Sequence, residues 1–90
     1  MYLAQVTGTV VSTTKHASLN GMKLLLVTRL DEHMNPTQRT QVAVDTVGAG
    51  NGEIVIVATG SSARMTNSKE HSVIDAAIVG IIDATERSEG

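Results

Sequence analysis

Ninety residues without a cysteine make one domain near the lower limit for a self-sufficient core, and they exclude disulfides and thiolate metal sites. A formal net charge of −2, with acids and bases interspersed, excludes the basic field that nucleic acid or an anionic membrane would need. Tyr2 is the only aromatic, so the rings that line most ligand pockets, or stack on single-stranded bases, are missing.

Residues 2–13 alternate, with Tyr2, Ala4, Val6, Gly8 and Val10 on one face and Gln5, Thr7 and Thr9 on the other. That is the period of a half-buried strand, and Gly8 in its middle predicts a bend or bulge. The same residues carry no basic n-region of a signal peptide, and no apolar run approaches the roughly 18 residues of a membrane span. A soluble, intracellular protein is expected. Residues 14–21 read as a loop closed by the turn pair Asn20-Gly21, and residues 22–30 as a second strand around Leu24-Leu25-Leu26-Val27. Residues 31–37 form a polar hairpin-like loop with the only proline, followed by a third strand at 39–47 and a fourth at 53–59.

Residues 60–64, Gly-Ser-Ser-Ala-Arg, suit the N-cap and first turn of a short helix. Residues 65–72 are polar and without period, which predicts a surface loop. The last structured segment, 73–85, is strand-like at Ile78-Val79-Gly80-Ile81-Ile82. One domain over residues 1–85 and a charged tail at 86–90 follow. The fold class expected is all-β: a small five-stranded antiparallel barrel with one short helical turn.

Between the third and fourth strands lies Asp45-Thr46-Val47-Gly48-Ala49-Gly50-Asn51-Gly52-Glu53, with glycines at alternate positions and an acid at each end. A phosphate loop is excluded, because a dinucleotide fingerprint must open a helix and here Glu53 and a β-branched strand follow. A tight corner where backbones approach closely is the reading, with Gly50 allowing that approach or a positive φ. Arg64 carries a planar fork suited to a carboxylate, and Asp45 and Glu53 are its natural partners within the chain or across a subunit boundary.

Catalytic constellations are absent from the sequence. His16, His33 and His71 lie in separate polar loops, so a metal site would have to assemble from all three. Ser61 and Ser62 do not sit in a nucleophile elbow, because Arg64 occupies its final glycine position. No cofactor and no metal are expected. The strands LLLV, IVIV and AIVGII are apolar on both faces, and a chain this short has little with which to cover them. Copies of the chain covering one another, an obligate homo-oligomer, is the economical answer.

Four stretches, VTGTVVSTTKHASLNGMKLLLV, AVDTVGAGNGEIV, GSSAR and VIDAAIVGIID, together resemble the vertex proteins of bacterial microcompartment shells. The resemblance covers nearly the whole chain, although that family often carries a proline where Ser72 stands here. It implies a five-stranded barrel similar to an OB-fold and a homopentamer that caps the five-fold vertices of a shell tiled by hexameric proteins. It also implies a structural role without catalysis, in the bacterial cytoplasm, and no nucleic-acid or membrane partner. Asp45, Val47, Gly48, Ala49, Gly50, Glu53, Ser61, Ser62, Ala63 and Arg64 would then lie at the subunit interface or the central axis. Two rival readings are a small OB-like binding module for a nucleotide, an oligosaccharide or single-stranded nucleic acid, and a small enzyme using Ser61 or a loop histidine.

Overall fold

The computed structural model describes residues 1–12, 16–60 and 75–83. Five strands, β1 (Tyr2–Thr9), β2 (Lys23–Leu30), β3 (Pro36–Asp45), β4 (Ile54–Thr59) and β5 (Ala76–Ile82), close into a barrel in the order β1-β2-β3-β5-β4. The all-β barrel matches the sequence reading, with one correction to its topology. Four of the strand contacts are antiparallel, but β3 and β5 run parallel, pairing Val44 with Ala77 and Asp45 with Ile78. A closed ring with an odd number of strands cannot alternate direction all the way round, so one parallel contact is unavoidable.

Alternation along the strands fills the interior with Ala4, Val6, Leu25, Val27, Ala43, Val55, Val57, Ala76 and Ile78, all nearly or fully inaccessible. These side chains are small or branched, which suits the narrow bore of five strands. The register of β1 slips between Val6 and Gly8, which pair with Val27 and Leu26, so the bulge expected at Gly8 is present.

The loop expected over 14–21 contains a 3₁₀ turn at Ala17–Leu19 among its described residues. The His16 ring caps it by accepting from Ser18 N–H at 3.1 Å, and the Leu19 and Asn20 N–H groups bond back to His16 and Ala17 carbonyls. The turn that follows places Gly21 at φ 78°. At the β2–β3 hairpin the third strand starts earlier than expected, at Pro36, which pairs with Leu30. Proline is tolerated there because the first residue of a strand need not donate to the ladder. The helical turn expected at 60–64, the loop at 65–72 and the tail at 86–90 fall wholly or mostly outside the described residues.

The outer faces of the doubly apolar strands are covered only in part. Outside the barrel, Leu24, Val44 and Ala77 form a second buried cluster under Val10, Leu19, Met22 and Val79. The chain's own residues near the 3₁₀ turn thus shield one outer face, where the sequence alone had suggested another copy. Around the barrel, on β1, β4 and β5, Leu3, Ile54, Ile56 and Ile82 face outward and stay only half-buried.

Candidate functional site

The glycine-rich segment 46–53 is not a hairpin corner, because β5 lies between β3 and β4. It crosses one end of the barrel and closes it. Ala49 has no exposed surface and packs into the interior cluster as a plug. Gly52 N–H donates to Val6 O at 2.8 Å and Val6 N–H to Glu53 O at 2.9 Å, tying the far side of the segment to β1. Thr46 N–H and hydroxyl both reach Ile78 O, tying the near side to β5.

One carboxylate folds the crossing. Asp45 Oδ1 accepts from Val47 N–H at 3.0 Å and Gly48 N–H at 3.1 Å, and Oδ2 accepts from Ala49 N–H at 2.9 Å. Lys23, opposite Asp45 on β2, places its ammonium 3.8 Å from Oδ2 and donates to Ala49 O at 2.9 Å. The Asp45 side chain is only 2% exposed, so these bonds replace its water. Across the segment, Glu53 Oε1 accepts from Gly50 N–H at 2.6 Å and Glu53 N–H returns to Gly50 O at 3.2 Å.

Both acids singled out in the sequence therefore staple their own segment. Asp45 holds three backbone N–H groups and the Lys23 ammonium. Arg64, with Ser61, Ser62 and Ala63, lies outside the described residues. The positive φ expected at Gly50 belongs instead to its neighbours, Gly48 at 81° and Gly52 at 86°. A Cβ built on Gly50 would meet only Glu53 Oε1, at 3.4 Å. Nothing among the described residues demands a glycine there. Val47, next to the staple, is 41% exposed and points apolar surface outward beside it.

Sequence reasoning did not single out Lys23 as part of the segment. The signal for it is the strand register, which sets Lys23 opposite Asp45, and register is not written in either stretch alone. His33 at the hairpin tip has Glu32 at 3.7 Å, and His16 is the cap already described. No group of three or more potential metal ligands occurs among the described residues.

The family described as "Ethanolamine utilisation protein EutN/carboxysome" matches residues 1–83. The bacterial microcompartment shell vertex protein GrpN of Rhodospirillum rubrum is 66% identical over 86 residues, covering 96% of this chain and 97% of that protein. The carboxysome shell vertex protein CcmL of Synechocystis is 50% identical over 90 residues, covering all of this chain and 90% of the relative. Among solved structures, the GrpN pentameric microcompartment shell protein superposes with a TM-score of 0.89 at 64% identity, covering 98% of this chain and 100% of that one. A barrel of the same kind, matched from end to end at this level of identity, leaves one assignment: the chain belongs to the EutN/CcmL family.

Proposed function

We propose that this chain is a structural vertex protein whose five copies form a ring at the corners of a bacterial microcompartment shell, in the cytoplasm. The observation that carries the ring is the half-buried strip of Leu3, Ile54, Ile56 and Ile82 on the outside of β1, β4 and β5, which the described chain does not cover. An apolar strip of this kind on a small barrel is stable in water when a neighbour covers it. A cyclic ring needs one patch of each copy to meet a different patch of the next. Exposed Val47 and the glycine-rich crossing supply the second surface, with Asp45, Gly48, Ala49, Gly50 and Glu53 shaping it. The likeness to a pentameric shell protein supports five copies in the ring.

The role is geometric. A sheet of hexagonal tiles closes only where pentagons interrupt it, so the vertex protein acts through its symmetry and the shape of its edge, beside hexameric shell proteins. The chain catalyses no reaction in this reading, and it binds neither nucleic acid nor membrane. Native mass spectrometry of the purified protein is the test: particles of five chains are expected, whereas a stable monomer would overturn the reading. Ile56→Lys is expected to convert the ring into folded monomers, because it places a charge in the strip.

A further inference from the structure

The end of the barrel opposite the glycine-rich crossing carries the start of β1, the end of β2 and the start of β3. Tyr2, Arg29, Arg39, Thr40 and Gln41 line a cleft of about 370 Å³ there, near the small end of ligand-sized sites. Arg29 continues the inward-facing series of Leu25 and Val27 on β2, and Arg39 and Gln41 continue that of Ala43 on β3. The two guanidiniums thus stand where the apolar core gives way to water. The Arg29 guanidinium lies over the Tyr2 ring, 4.8 Å from its centroid, a cation–π contact that holds it in the cleft. The Tyr2 hydroxyl donates to Gln41 Oε1, which uses the amide's acceptor and turns its NH₂ donors outward. The Thr40 hydroxyl is engaged with Thr28 Oγ1 at 3.1 Å.

Neither Arg29 nor Arg39 forms an ion pair with a carboxylate among the described residues. Asp75 is close enough to act on the Tyr2 hydroxyl, so the mouth is not uniformly positive. What remains unanswered in the cleft is nevertheless a set of donors: two guanidinium forks and one amide. Their chemical complement accepts only, and does so in a plane. We propose that the barrel mouth of each subunit is an oxyanion receptor, taking a carboxylate or phosphate group between Arg29 and Arg39 with Gln41 as a third donor. The group comes either from a free small anion or from an acidic side chain of a second copy. The proposal uses neither the outward strip nor the glycine-rich crossing, on which the proposed ring rests.

Tyr2 is the chain's only aromatic, so its fluorescence reports on this cleft without a label. The probes are succinate and inorganic phosphate, titrated in chloride-free buffer into the intact protein, with native mass recorded for each variant. For a free anion, saturable quenching or enhancement is expected in the wild type. Arg39→Ala and Arg39→Gln, which keep this exposed strand position folded, should each weaken binding about tenfold, the loss of one charge-assisted bond. For an acidic side chain of a second copy, the wild type takes up no probe and both Arg39 variants lower the chain count per particle. Binding that both Arg39 variants leave unchanged overturns the proposal. So does a wild type that takes up no probe while its variants keep the same mass.

Discussion

At the scale of single residues, Asp45 carries more of the structure than any other polar side chain described. Asp45→Ala removes the acceptor for the N–H groups of Val47, Gly48 and Ala49 and leaves the Lys23 ammonium without its counter-charge. Water can reach the exposed Val47 and Gly48 but not the buried Ala49, and a loss of about 1–3 kcal/mol is expected. Urea unfolding of both proteins at one fixed chain concentration checks it, since an oligomer's stability depends on concentration. Asp31 does similar work in the open. Its Oδ1 accepts from Asn35 N–H at 2.9 Å and His33 N–H at 2.8 Å, and these bonds, Asn35's first, hold its carboxyl below the ordinary value. Because the folded pKa is the depressed one, the contribution of these bonds to stability is present above the ordinary carboxylate range. It is lost as pH falls through the folded value. A carboxyl NMR titration should place the Asp31 midpoint below that of a free aspartate. Amide exchange at His33 and Asn35 should quicken, relative to the rest of the barrel, once the pH passes below it. A midpoint at the free value would mean the two bonds are not held in solution.

At the scale of elements, the β2–β3 hairpin shows a local conflict that the fold tolerates. Met34 N–H bonds to Asp31 O at 3.0 Å and Asp31 N–H to Asn35 O at 2.9 Å, which obliges Met34 to take φ 65°. It is the only non-glycine residue with positive φ among those described, and a side chain there costs roughly 1 kcal/mol. Met34→Gly is therefore expected to stabilise the protein by about 0.5–1 kcal/mol, read as a higher urea midpoint. An unchanged or lower midpoint would show that the half-buried Met34 side chain contributes contacts that outweigh the backbone strain. The 3₁₀ turn illustrates the reverse situation, in which a polar loop acquires order from a His16 cap and then holds Leu19 and Met22 over the outer cluster of Leu24, Val44 and Ala77.

At the scale of the whole molecule, Gly50 separates folding from assembly. Its φ is not positive, and among the described residues an added Cβ would meet only the flexible end of Glu53. Gly50→Val is thus expected to leave the barrel folded, with urea stability of the subunit changed by less than about 1 kcal/mol. If the crossing faces a neighbour in the ring, the same substitution should reduce the fraction of five-chain particles in native mass spectra. A variant that assembles as the wild type does would remove Gly50 from the interface.

The sequence by itself determined the strands, because the alternation of β1 and the branched runs of β2, β4 and β5 are local patterns that burial imposes directly. It also determined the family, through motifs that span most of the chain. The tertiary structure decided everything that depends on register and closure. The odd strand count required a parallel contact, the tertiary structure set it between β3 and β5, and that separated β3 from β4 and made the corner at 46–53 a plug for the barrel. Strand pairing set Lys23 opposite Asp45, which gives the acid that folds the crossing its counter-charge. Register also gathered Tyr2, Arg29, Arg39 and Gln41 at one mouth, from three consecutive strands. Periodicity records which face of a strand is dry. It holds no record of which strand lies next to it, and the polar contacts of this protein are made across those neighbours.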